Sequence, residues 1–223
     1  MKKAYVLISA LSILAIFAAA CGTPPPLKSD KYLNDTSLVA TDDPSCATPC
    51  VHGIIPGKTT FTDALNKVKA DKGFSNVQSN DNPPSAGWSA ASSGEACCQM
   101  TADKNSGVVD ALVAKVAPKM TLQQVIDKYG EPKYTFPVDY TADEVAIAVI
   151  YPEKGLVVWV SPGNPSSTVT PNSPVVIILY FNPAQWTTKY LPTGQLLAWA
   201  GFQPYKNYQS ATPVVTPAIT PTP

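Results

Sequence analysis

His52 is the single histidine in 223 residues, so any histidine-based triad or general base would have to use it. It sits two positions after Cys50 and just ahead of a Gly-Ile-Ile-Pro-Gly turn, and the chain holds no G-x-S-x-G nucleophile elbow. A solvated loop histidine is the reading that follows. Glycoside hydrolysis needs two carboxylates facing one cleft. The four glutamates are Glu95, Glu131, Glu144 and Glu153; Asp42-Asp43 lies in a linking segment and Asp143-Glu144 opens a strand, so neither pair has a framed site. Gly57-Lys58-Thr59 resembles the end of a phosphate loop, but His52 stands where the earlier glycine is required. The 16 basic residues are all lysine, and without a guanidinium the bidentate phosphate and base-edge contacts of nucleic-acid binders are missing. No enzyme, no cofactor and no nucleic-acid partner is expected.

Cysteine offers more. Met1-Lys2-Lys3 is a positive start, Ala4 to Ala20 is an apolar and small-residue run, and Ala18-Ala19-Ala20 leads into Cys21. This is the pattern of a secretory signal, and its end resembles the lipobox of bacterial lipoproteins, in which diacylglycerol is attached to the thiol after cleavage. The resemblance implies that Cys21 is the lipid-attachment site and that the mature protein is anchored to a membrane surface without spanning it. Cys46, Cys50, Cys97 and Cys98 remain, an even number in an exported chain, which implies two disulfides. Three connectivities exist. A bond between neighbours closes a tight ring, so the expected pairing joins Cys46 and Cys50 crosswise to Cys97 and Cys98, closing loops of roughly 50 residues worth about 4 kcal/mol. The other reading of these cysteines is a metal site with His52, but their spacing and an oxidising compartment favour bridges, and no metal is expected.

The elements that must position these residues follow from pattern. The chain is 45% apolar, enough for a core, but only 14% charged, with 23 prolines; soluble domains usually carry roughly 25% charged residues, and this profile suits a sheet-rich protein with long turns. Phe61, Ala64, Leu65 and Val68 stand at i, i+3, i+4 and i+7, and Leu122, Val125, Ile126 and Tyr129 repeat those offsets 61 residues later. Each stripe opens on a threonine cap, Thr60 or Thr121, with Asp63 or Gln124 three residues on. Strands are expected after the second helix at Glu144–Tyr151, Leu156–Val160 and Val175–Phe181. Weaker candidates follow the first, at Phe74–Gln78, Gly87–Ala91, Ala96–Ala102 and Val108–Val116. The fold class is therefore expected to be α+β, two tandem helix-plus-antiparallel-sheet units. The boundaries are a signal at 1–20, a Pro/Ser/Thr-rich tether at 21–52, units at 53–118 and 119–210, and a Pro/Thr-rich disordered tail at 211–223.

Met120-Thr121, Val125 and Tyr129-Gly130-Glu131-Pro132, followed by strands, resemble the G-M-T…V…L-G-x-P signature of the small bacterial SmpA/OmlA lipoproteins of outer-membrane assembly. Tandem units of this kind also look like the β-lactamase-inhibitor-protein-like fold. What the resemblance implies is a non-catalytic protein-binding or envelope-assembly module, extracytoplasmic and held to a bacterial membrane by its lipid, with another envelope protein as partner. The alternatives are a purely structural envelope lipoprotein or a hydrolase. An antiparallel sheet covered by a helix on one side can leave its other side open, and Trp88 and Trp159 are the candidate protein-binding anchors if they face out from it.

Overall fold

Both threonine caps form as the sequence predicts. Helix α1 (Phe61–Ala70) starts where the Thr60 hydroxyl accepts the Asp63 amide at 3.1 Å; α2 (Leu122–Tyr129) starts at Thr121, where Gln124 completes a capping box. These assignments come from a computed structural model that describes residues 24–40, 44–190 and 196–214. The expected signal at 1–20, the expected lipid-attachment residue Cys21 and the tail beyond 214 lie outside the described residues. Phe61, Ala64 and Val68 of α1 and Leu122 and Val125 of α2 are buried, while Leu65, Ile126 and Tyr129 are half-buried against the same core.

Nine strands follow: β1 (Phe74–Asp81), β2 (Pro84–Ala90), β3 (Ala96–Ala102), β4 (Val109–Lys115), β5 (Tyr134–Asp139), β6 (Val145–Tyr151), β7 (Leu156–Gly163), β8 (Val175–Phe181) and β9 (Leu197–Ala198). They form one antiparallel sheet in the order β1-β2-β3-β4-β8-β7-β6-β5-β9. The expected two tandem helix-plus-antiparallel-sheet units are thus corrected to a single sheet. The seam is β4 against β8, paired from Ala111↔Phe181 to Lys115↔Ile177. Every residue of both strands is buried. A strand apolar on both faces needs neighbours on both edges and cover on both sides, and these two supply each other's missing neighbour. Strand β5 escaped the sequence reading because it contains Pro137. The structure tolerates it because β9 pairs only with Tyr134 and Thr135, so the outer ladder has ended before the proline.

One face of the sheet carries both helices over a core that runs unbroken from Ala86 in β2 to Leu197 in β9. The other face is apolar from β4 to β5, through Val113, Leu179, Val157, Ile177 and Ile150, and the chain covers it with Leu27, Trp186 and Leu196. Lys189 reaches from this cover to Asp110 of β4 at 2.5 Å. The turn at Pro152–Gly155 needs its glycine: φ is +61°, and a Cβ there would collide with the Phe181 carbonyl.

The segment read as a tether is also corrected, from its described start. Leu27, Tyr32, Leu33 and Leu38 are all buried. The Tyr140 hydroxyl donates to the Pro25 carbonyl at 2.6 Å, and Leu33 bridges Val116 in parallel. The segment crosses from the second face, at Leu27, to the helix side, at Leu33 and Leu38. Its few apolar residues are enough to bind it down.

Disulfide pairing differs from the expected crosswise pattern: Cys46 bonds Cys50, with Cα atoms 4.9 Å apart, and Cys97 bonds Cys98. The loop bearing Cys46 and Cys50 stands over Tyr180 of β8 and beside Lys128 of α2, whereas Cys98 lies in β3 with β4 between them. The ladder shows why neighbours can meet. Trp88 pairs with Cys98 and Ser89 with Ala96, so Cys97 is the extra residue of a bulge and strict alternation fails at that point. Both cysteines belong to the helix-side core. A bridge spanning four residues restrains the unfolded chain by about 2 kcal/mol, half of what the long loops would have given.

Candidate functional site

His52 sits in a two-residue connection. Val51 and Ile54 exchange both backbone hydrogen bonds, at 3.0 and 2.8 Å, and His52 and Gly53 have φ of +49° and +71°, the left-handed pair of a type I′ turn. Its ring lies edge-on to Phe74, centroids 4.8 Å apart. Nδ1 is 3.0 Å from Asp71 Oδ2, at the C-terminal cap of α1, and Nε2 is 3.3 Å from Asp35 Oδ2 in the N-terminal segment. The hydrogen bond to Asp35 raises the imidazole above its ordinary pKa against the opposing effect of burial, and the charges of Asp35 and Asp71 add to it. Burial pushes the Asp35 carboxyl up, but the hydrogen bonds from His52 and the Ser37 amide outweigh this and hold it low.

With a carboxylate at each nitrogen, His52 is held toward its imidazolium form, in which it donates twice. In that form it has no lone pair with which to take a proton. Its work is to clamp the N-terminal segment to the end of α1. It borders a cleft of about 640 Å³ on the helix side, floored by Tyr180 and flanked by Lys67 and Lys128. Among the described residues no group of three or more histidine, cysteine, aspartate or glutamate side chains is placed to hold a metal ion.

Neither proposed tryptophan anchor stands on an open face. Trp88 points toward the helices, packs 5.6 Å from Phe74 and is 4% exposed, so it is core. Trp159 is on the opposite face but half-buried, edge-on to Phe136 within the covered apolar region.

The open part of that face lies elsewhere, at the β1–β3 end. Residues that alternate with the core-facing Ala86, Trp88, Cys98 and Met100 point away from the helices, and register aligns them in two rows: Gln78, Gly87 and Gln99, then Asn80, Ser85 and Thr101. A cleft of about 760 Å³ opens there. Strand β1 carries a bulge between Ser75 and Gln78, with Asn76 at φ +53°, so its edge bends beside the cleft. The oxygen of the Gln99 carboxamide is buried and has no hydrogen-bond partner among the described protein groups. Sequence reading missed these residues, since amides and hydroxyls in weak strands form no motif; the one available signal was the alternation of Ser85, Gly87 and Ser89 with Ala86, Trp88 and Ala90. The chain matches no family model, no curated protein and no solved structure.

Proposed function

We propose that the protein is a non-catalytic binding module of the bacterial envelope, anchored through lipid on Cys21, that holds another envelope component against the uncovered end of its sheet. The component first expected is another envelope protein, in keeping with an assembly role. One observation carries this reading. The chain covers its own apolar strands from β4 to β5 with Leu27, Trp186 and Leu196, yet leaves the cleft over β1–β3 open. Polar strands need no cover in water, but a purely structural role does not call for a cleft of about 760 Å³ set into them. The double commitment of His52 supports the non-catalytic part, because the hydrolase alternative needs a free imidazole nitrogen.

The test is photo-crosslinking in the protein's own membranes. A benzophenone side chain at position 80, beside the cleft, should give a discrete adduct; the same group at position 154, on the β6–β7 turn, should not. Absence of an adduct from position 80, or identical adducts from both positions, would sink the reading.

A further inference from the structure

The lining of the β1–β3 cleft carries no ionisable side chain. Asn76, Gln78, Asn80, Ser85, Ser89 and Gln99 give it amides and hydroxyls. A phosphate or carboxylate entering it would lose water and meet no cation, whereas an uncharged ligand loses little. A protein-docking core is usually built on aromatic, methionine or arginine anchors and is poor in serine. The aromatic ring among the lining residues, Trp88, faces the helices and is 4% exposed. What remains is a surface of paired donors and acceptors.

Resting on the binding-module reading above, we propose that this cleft takes an uncharged saccharide of the envelope's glycan. Each carboxamide presents a donor and an acceptor side by side, the arrangement that two neighbouring sugar hydroxyls complete. The buried Gln99 oxygen adds a specific acceptor. It is buried without a protein hydrogen-bond partner, and a ligand hydroxyl reached by a rotation of the amide would satisfy it. Gly87, between Gln78 and Gln99, leaves the floor bare: a Cβ there would meet only the Cys98 carbonyl, at 3.7 Å. The volume, about 760 Å³, lies in the range of small-ligand sites.

The full-length protein in detergent is titrated with uncharged gluco-, galacto- and N-acetylglucosamine oligosaccharides of a few units, with sialylated and galacturonic chains as charged controls, and read by side-chain amide NMR. An uncharged oligosaccharide should shift the Gln78, Asn80 and Gln99 amide signals saturably, and the charged chains should not. Gly87→Leu fills the floor with no backbone penalty and should weaken the response about tenfold or more, equivalent to 1.4 kcal/mol. Gln99→Met should weaken it likewise while leaving the melting temperature unchanged or higher, since it removes an unsatisfied amide; a merely structural residue would lower both. No saturable shift, an equal response in Gly87→Leu, or equal binding of charged chains overturns the proposal. If the position-80 crosslink still captures a protein, the saccharide inference alone falls; if it captures nothing, the binding-module reading falls with it.

Discussion

An imidazole with a carboxylate on each nitrogen stabilises the segments those carboxylates belong to, and its titration reports on them. His52 joins Asp35 and Asp71 in this way, and its pKa is raised while that of Asp35 is lowered. The raised histidine contributes stability that is complete below its unfolded value near 6.5 and is lost as pH rises through the folded value. The lowered aspartate contributes above its own unfolded value, near 3.8, and is lost as pH falls through the folded value. The clamp is therefore strongest between those limits. Melting temperature should fall in the parent as pH rises from about 6.5 through the raised folded value of His52. His52→Asn keeps a side chain that tolerates positive φ and should flatten that limb, at a cost of about 1 kcal/mol at pH 6, the upper range for ion pairs that touch solvent. An unchanged limb would remove His52 as its cause. The cysteines give a second residue-scale test: non-reducing peptide mapping should recover Cys46 linked to Cys50 and Cys97 to Cys98, with no peptide joining the two regions. Any crosswise peptide would contradict the bulge at Cys97.

Helices were the most legible elements, because a cap and a 3.6-residue stripe are local signals. Thr60 and Thr121 start α1 and α2 as their sequence predicts. Depth within the stripe was less legible: Leu122 is fully buried, while Ile126 is half-buried beside it. Leu122→Ala should cost about 2–5 kcal/mol, and Ile126→Ala clearly less, in denaturant titrations. Equal losses would mean that both lie at the same depth. Strands β4 and β8 could be read from their apolar runs, but not their partnership, since pairing residues near 113 with residues near 179 depends on burial from both sides, which no local pattern states. The extra residue at Cys97 and the proline in β5 were hidden for a related reason. A bulge and a tolerated proline are properties of the neighbouring strand. The cleft was invisible because Asn, Gln and Ser become a site only when register sets Gln78, Gly87 and Gln99 in one row.

At the scale of the whole molecule, the N-terminal segment would decide how far the domain stands from a membrane under the anchoring proposed at Cys21. Twenty-odd residues of linker would permit free reach, but Pro25 is fixed to Tyr140, the Leu27 amide donates to Glu144 at 3.3 Å, and Leu27 is buried on the second face. Between the lipid proposed at Cys21 and Pro25 lie four residue steps, at most about 14 Å of extended chain. A long-reaching tether is therefore already used up, and acylation at Cys21 as proposed would bring the corner around Tyr140 and Asp143 close to the bilayer. Cys21→Ser should release the protein from membranes through salt and carbonate washes. In the acylated parent, a fluorophore at position 143 should be quenched by spin-labelled headgroups, and a flexible insert of twenty residues between positions 22 and 23 should relieve the quenching while leaving the protein membrane-bound. If Cys21→Ser stays with the membrane, the anchor is elsewhere. If the insert changes nothing, the packed segment does not set the distance, and contacts of the domain with the bilayer do.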